Sequence, residues 1–130
     1  MIFISTLFLF HILLSFFGMK NLCQLVVKYA CIGSLKIAGL KLKQSGIPMS
    51  FAGAVVANHS SWLDIFVLNA TQKIYFVSKS EVKKWPLIGK IANHVGTVFI
   101  RRSRIDAIKQ KNIFLKRISS GDKLLFFPEG

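Results

Sequence analysis

The chain has 130 residues, enough for one domain with a real core, and 52% of them are hydrophobic. Its net charge is +13, from 18 Lys and Arg against 5 Asp and Glu. A membrane surface suits a chain that is both apolar and basic, and nucleic acid is the rival partner. Cys23 and Cys31 show no metal-ligand spacing and no disulfide framework, which favours a reducing environment.

The first 18 residues, Met1 to Gly18, contain no charged side chain and are about long enough to span or deeply enter a bilayer. A secretory signal peptide is the alternative, but the segment lacks a basic start and no small-x-small cleavage site follows it. Because lysines come only afterwards, a spanning segment predicts that the remainder lies on the cytoplasmic side.

The next stretch, Asn21 to Leu42, is apolar and carries lysines eight positions apart, at 20, 28 and 36. Eight residues turn a helix by about 800°, so these lysines drift by about 80° per step and share one broad face. The pattern indicates an amphipathic helix at the membrane interface, with a second core helix as the alternative. The break at residues 44–48 then separates a membrane-associated segment, 1–43, from a globular domain, 52–130.

From Ala52 onward, short apolar runs alternate with longer helical patterns, which predicts an α/β fold. Its sheet should be mainly parallel, with flanking helices, preceded by the amino-terminal membrane-associated helices. The predicted strands are Ala54–Ala57, Ile74–Ser78, Thr97–Arg101 and Lys123–Phe127. The predicted helices are Trp62–Ala70, Glu81 to about Asn93 with a break at Pro86, and Ser103 to about Ser119, with Ile105, Ile108, Leu115 and Ile118 facing inward.

Polar residues follow every predicted strand, where ligands of open α/β sheets bind. They are Asn58-His59, Lys79, Arg102 and Pro128-Glu129-Gly130. We expect the strand that ends at Arg102 to lie beside the strands that carry His59 and Glu129.

His59 and Asp64 are the strongest candidates for chemistry in this set. Five positions on one helix would put them on different faces, but they can meet if His59 lies in the turn and Asp64 in the first helical turn. A histidine held by a carboxylate is a general base with a fixed tautomer. Ser60 or Ser61 can cap the helix that follows. The alternative is that Ser61-x-x-Asp64 is a capping box and His59 a loop residue.

Four blocks of the chain, in order, resemble the glycerophospholipid acyltransferases, and most closely the 1-acylglycerol-3-phosphate acyltransferases. The first block is the H-x-x-x-x-D pattern of Asn58 to Asp64, and the second is Lys79-Ser80-Glu81 with Trp85 to Gly89. The third is Gly96 to Arg102, and the fourth is Phe127-Pro128-Glu129-Gly130. The family commonly has an acidic residue where this chain has Arg101. Its pattern continues beyond Gly130 with a hydroxyl residue and an arginine, so the resemblance implies a domain that is incomplete at its carboxyl end.

The resemblance implies transfer of an acyl group from acyl-CoA or acyl carrier protein to the free hydroxyl of lysophosphatidic acid, giving phosphatidic acid. His59 would be the base, Asp64 would hold its imidazole, and Arg102 would bind the acceptor's phosphate. Glu129, Gly130 and Gly96 resemble acceptor-binding residues, and the scheme needs neither a metal nor a resident cofactor. The expected partners are membrane lipids, the lysophospholipid and the acyl donor.

Other interpretations remain open on the sequence alone. Arg102 belongs to a basic run and Glu129 is one of only five acids, so either is also explained as a surface charge. An ornithine-type or other lyso-lipid is the alternative acceptor. A basic membrane-surface module, an inactive truncated one included, is the non-enzymatic alternative. Recognisable nucleic-acid-binding motifs are absent, which argues against a nucleic-acid partner.

Overall fold

The computed structural model describes Leu9, Leu13 and residues 18–101 and 103–129. The predicted spanning segment, 1–18, therefore lies mostly outside the described residues, as do Arg102 and Gly130. Two compact units make up the chain. The helical unit comprises Met1–Pro48 with Ser60–Lys73, and the sheet unit comprises Met49–His59 with Ile74–Gly130. The predicted domain division at 43–52 stays a prediction.

The helical unit contains helix α1, Lys20–Ile37, and helix α2, Leu63–Thr71. Cys31 and Leu35 are one turn apart on α1 and are buried with Ala70 of α2. Half-buried apolar side chains surround them, namely Val27, Ile32, Phe66 and Val67. Burial of this shared apolar face therefore holds the two helices together.

The end of α1 falls earlier than the predicted helix, which extended to Leu42. Gly39 adopts a positive φ of 71°, and its N–H donates to the carbonyl of Lys36. The N–H of Leu40 donates to the carbonyl of Leu35, which completes a Schellman motif. The left-handed glycine therefore stops the helix, although the apolar and basic pattern continues past it.

Lys28 of α1 does not lie on a face opposite the packed residues. Lys28 is half-buried and lies seven positions before Leu35, within about 20° of it around the helix. The side chains of Tyr29 and Ile37 are instead 61% and 72% exposed. The core-helix alternative thus describes how α1 packs on α2, while its position at a membrane interface stays a prediction. Within the described residues, no helix is both long enough and apolar enough to cross a bilayer.

The sheet unit is built on four parallel strands in the order β1-β4-β2-β3. Their bounds are Gly53–Val56 for β1, Tyr75–Lys79 for β2, Val98–Ile100 for β3 and Lys123–Phe126 for β4. The predicted strands match these within about two residues, and the prediction of a parallel α/β sheet with flanking helices is confirmed. β4 lies inside the sheet, where Leu124 and Leu125 are fully buried.

Two helices of this unit connect the strands. α3, Ile88–His94, follows a short 3₁₀ turn at Val82–Lys84, which agrees with the predicted break at Pro86. α4, Ala107–Ser119, runs between β3 and β4. The predicted start of this helix at Ser103 is wrong, because α4 begins four residues later. The Ser103 hydroxyl instead accepts a hydrogen bond from the N–H of Ile105 at 3.2 Å.

The predicted inward face of α4 is also largely wrong. Phe114 and Ile118 pack against the buried cluster of Val77, Val98 and Leu124. The predicted inward residues Ile105, Ile108 and Leu115 are 93%, 76% and 52% exposed. Both sets are apolar at helical spacing, so periodicity could not decide between them. The edge-to-face contact of Phe114 with Phe126 of β4, with ring centroids 5.2 Å apart, fixes the face that packs.

The packing of α1 on α2 can be tested through Cys31. Burial raises the pKa of the Cys31 thiol to about 11, from a usual value of 9.0. We expect iodoacetamide at pH 8 to leave Cys31 unmodified in the folded protein and to modify it after denaturation in urea. As the pH rises, the Cys31 thiol deprotonates in the unfolded chain before it does so in the folded chain. The stability that the neutral thiol contributes is therefore complete below pH 9.0 and is lost as the pH rises to about 11.

The control is Cys31→Ala, which should leave Cys23 as the one thiol that urea exposes, so that modification after denaturation falls from two thiols to one. Rapid modification of Cys31 in the folded protein would contradict the packing described here.

Candidate active site

The candidate site begins where β1 and β4 end, on the same edge of the sheet. Val56 pairs with Phe126, so the two strands reach their carboxyl ends at the same level. The N–H of Ala57 donates to the carbonyl of Phe126 at 3.1 Å, which extends the pairing by one step. His59 is in the turn after β1 and Glu129 is in the turn after β4. Both residues therefore lie at this edge, as the sequence predicts.

His59 is exposed and is stacked on the ring of Phe127. The two ring centroids are 4.2 Å apart, with an interplanar angle of 19°. The ring of Phe127 also stacks with that of Phe76 on β2, at 5.8 Å and 22°. Because Phe76 is buried, the stack connects an exposed imidazole to the core of the sheet unit. Such contacts restrict the orientation of the imidazole while leaving it accessible to a substrate.

Sequence reasoning missed the contact between Phe127 and His59. Phe127 was predicted only as the last residue of a strand and the first of a sequence block, and Phe76 only as part of a strand. The contact follows from the parallel pairing of β1 with β4, which places the residue after β4 beside the turn after β1. That pairing depends on strand order, which one sequence does not provide.

Asp64 lies in the helical unit, where it organises the turn before α2. One of its carboxylate oxygens, Oδ2, accepts hydrogen bonds from the N–H groups of Ser60 and Ser61 at 2.8 and 2.9 Å. The Ser61 hydroxyl accepts the N–H of Leu63 at 3.2 Å. These bonds have the pattern of a capping box, but the N-cap position of α2 is Trp62, which no side chain caps. The predicted serine cap therefore lies one residue before the start of the helix. The pairing of Asp64 with His59 stays a prediction.

Gly96 lies at the opposite edge of the sheet, before β3, so the structure does not bring it together with His59. It has a positive φ of 85°, and a Cβ there would come within 2.9 Å of the Tyr75 ring. Both observations give a structural reason for glycine at this position. Its predicted role in binding the acceptor remains untested.

The order of strands corrects one expectation about the acceptor pocket. β3, which leads to Arg102, is separated from β1 by β2 and β4 rather than lying beside it. At about 4.8 Å per strand, β1 and β3 are roughly 14 Å apart. Exposed cations are nevertheless present at this edge, since Lys79 ends β2 and Arg101 follows β3. An edge with these charges favours an anionic ligand.

No group of three or more His, Cys, Asp or Glu residues in the described part of the chain is arranged to hold a metal ion. The prediction that catalysis needs no metal or resident cofactor stays a prediction.

Comparison with known proteins defines the class of this chain. The model of the acyltransferase family matches residues 43–130. The chain belongs to the acyltransferase family, as the four sequence blocks predicted. No solved structure matches the chain.

The curated relatives include enzymes named for two acceptors. A lyso-ornithine lipid O-acyltransferase of Rhodobacter capsulatus is 51% identical over 105 residues, which are 81% of this chain and 38% of that protein. A 1-acyl-sn-glycerol-3-phosphate acyltransferase of Neisseria gonorrhoeae is 43% identical over 76 residues, 58% of this chain and 30% of that protein. The chain thus spans less than two fifths of the length of either relative.

The capping bonds of Asp64 predict a cost in stability that is separate from any catalytic role. Asp64→Ala removes the acceptor for two backbone N–H groups, and we expect a loss of about 1–2 kcal/mol in the free energy of unfolding, measured in urea. Glu81→Ala is the matched control, because its exposed carboxylate accepts a hydrogen bond from the neighbouring Ser80 hydroxyl and from no backbone N–H in the described part of the chain. That control should stay within about 0.5 kcal/mol. Equal effects in the two variants would mean that the capping box contributes nothing particular.

Proposed function

We propose that the protein transfers an acyl group from a thioester, acyl-CoA or acyl carrier protein, to the free hydroxyl of a lyso-lipid. The observation that carries the proposal is the exposed His59 at the end of β1, stacked on Phe127, in a chain of the acyltransferase family. An accessible imidazole with a restricted orientation is suited to general-base catalysis.

In the proposed mechanism, a ring nitrogen of His59 takes the proton of the acceptor hydroxyl. The hydroxyl oxygen then attacks the thioester carbonyl, and the carbon–sulfur bond breaks as the tetrahedral intermediate collapses. The imidazolium returns its proton to the departing thiolate, so the enzyme is regenerated without an acyl-enzyme intermediate. Asp64 would stabilise the imidazolium and hold its tautomer, in addition to fixing the turn before α2.

The first candidate acceptor is lysophosphatidic acid, and its product is phosphatidic acid. Arg102 would bind the phosphate through its planar fork of donors, and Glu129 and Gly130 would contact the acceptor. Lysophosphatidic acid carries its phosphate on the carbon next to the one that bears the reacting hydroxyl. With β3 roughly 14 Å from β1, the Arg102 side chain would therefore have to reach towards His59 to bind this phosphate. The exposed cations Lys79 and Arg101 at the same edge support an anionic acceptor.

A lyso-ornithine lipid is the second candidate acceptor. The 51% identity to the Rhodobacter capsulatus enzyme covers 81% of this chain, against 58% for the Neisseria gonorrhoeae enzyme. An ornithine lipid has no phosphate, so Arg102 would lose its proposed role with this acceptor. That difference allows the two acceptors to be distinguished.

The proposed location is the membrane, with the catalytic part on the cytoplasmic side. The apolar composition of residues 1–18 and the lysines that follow support this proposal.

The role of His59 can be tested in the full-length protein. His59→Ala should lower kcat by about 10²–10⁴-fold, because the acceptor hydroxyl loses its base. Asn93→Ala, at an exposed position on α3 that belongs to none of the sequence blocks, is the matched control and should retain most of the activity. The measurement is the rate of acyl transfer from labelled acyl-CoA to the lyso-lipid. Near-normal turnover in His59→Ala would rule out the mechanism.

The acceptor can be tested with Arg102→Ala against Arg101→Ala. If the acceptor is lysophosphatidic acid, Arg102→Ala should lower kcat/KM for it by roughly ten- to hundredfold, since a charge-assisted contact of about 1.5–3 kcal/mol is lost. Arg101→Ala should have the smaller effect. Equal and mild effects would indicate a solvated basic run. Preference of the wild type for a lyso-ornithine lipid, with no effect of Arg102→Ala, would select the second acceptor.

A further inference from the structure

Helix α4 of the sheet unit has apolar side chains that this unit does not bury. Ile105 in the turn before the helix is 93% exposed, and Ile108 in its first turn is 76% exposed. Leu115, two turns further along, is 52% exposed. Ile108 and Leu115 are seven positions apart and point within about 20° of each other. The exposed aliphatic residues therefore form a stripe along α4, away from Phe114 and Ile118.

Cations accompany this stripe. Lys109, Lys111 and Lys116 are all exposed on α4, and the sequence Ala107–Ser119 contains no acidic residue. The side chains of Ile105, Ile108, Lys109 and Lys116 line one shallow depression on the surface. We call this combined surface of Ile105, Ile108, Lys109 and Lys116 the α4 face.

The α4 face lies towards the edge of the sheet that carries His59. α4 follows the carboxyl end of β3 and leads back to the amino end of β4, so its first turn lies at the carboxyl edge. Gln110 Nε2 donates a hydrogen bond to the carbonyl of Arg101, which ties this first turn to the end of β3. Ile105 and Ile108 are thus at the same edge as the stacked pair of His59 and Phe127.

We propose that the α4 face docks on an anionic lipid bilayer, with Ile105 and Ile108 among the acyl chains and Lys109 and Lys116 at the headgroups. Charge complementarity supports this occupant, because the chain has a net charge of +13. The residue types of the α4 face favour a lipid surface over a protein partner. Protein interfaces are depleted in lysine and enriched in aromatic residues and arginine, whereas membrane-surface helices combine lysine with aliphatic side chains.

Docking through the α4 face would orient the carboxyl edge of the sheet towards the membrane. A lyso-lipid could then reach the edge without crossing bulk water. The inference concerns binding of the surface to lipid and does not depend on the acyl transfer proposed for His59.

The test uses a polarity-sensitive fluorophore on Asn112→Cys, an exposed position beside the α4 face. Cys23 and Cys31 are buried and burial raises the pKa of both thiols, so labelling at pH 7 is selective for the new cysteine. Vesicles of phosphatidylcholine containing phosphatidylglycerol should shift the emission to the blue. Vesicles of phosphatidylcholine alone should shift it much less.

Three variants, each made in the labelled protein, separate local docking from attachment elsewhere in the chain. Lys109→Gln with Lys116→Gln should lower the docking equilibrium constant about 25-fold at low salt, at about fivefold per lysine. Ile105→Ser with Ile108→Ser should abolish the blue shift. Phe51→Ser, before β1 at the opposite edge of the sheet, where the side chain is 69% exposed, is the matched control and should leave the shift unchanged.

Several results would overturn the proposal. The first is an unchanged emission while the protein sediments with anionic vesicles. Another is a blue shift that appears without lipid as protein concentration rises, which would indicate a second copy as the occupant. A shift on adding an acidic acyl carrier protein without lipid would indicate a protein partner. Emission that is already blue in the dilute full-length protein would show that its own chain covers the face. The test measures fluorescence and sedimentation and does not measure turnover. Its results can therefore be interpreted even if the proposed catalysis is wrong.

Discussion

The parallel pairing of β1 with β4 is the constraint on which the candidate site depends. Its register sets Val56 against Phe126, so the turn that carries His59 and the turn that carries Glu129 leave the sheet side by side. β4 can hold this position because Leu124 and Leu125 are fully buried. A shift by one residue would place polar Lys123 in the core and remove Phe127 from the imidazole. The geometry of the candidate site and the packing of the core are therefore specified by the same strand.

Asp64 illustrates how a structural and a chemical interpretation coexist at one residue. Its carboxylate fixes the turn before α2 through two backbone N–H groups, and this satisfies donors that a helix start otherwise leaves unpaired. A carboxylate held in this way has little freedom, which is also what a partner of a catalytic histidine requires. Loss of activity in an Asp64 variant is therefore informative only beside a measurement of stability.

The sequence predicted the strands, their parallel arrangement and the family, since turn residues and short apolar runs are local signals. It misplaced the buried face of α4, because both sides of that helix carry aliphatic residues and only the contact of Phe114 with Phe126 decides between them. The predicted α1 was also too long, because Gly39 ends the helix although the apolar pattern continues beyond it. The order β1-β4-β2-β3 could not be derived from local patterns, so Arg102 was expected beside His59 and Phe127 was overlooked.

Because His59 is stacked on Phe127, we expect Phe127 to act on the reaction by positioning the imidazole. A double-mutant cycle on kcat in the full-length protein tests it most directly, with His59→Ala, Phe127→Leu and the combination. The account predicts that Phe127→Leu lowers kcat by about 10- to 100-fold in the wild type, through misplacement of the base, and has no further effect once His59 is alanine. Equal losses from Phe127→Leu in both backgrounds would contradict the account, since Phe127 would then act independently of the imidazole.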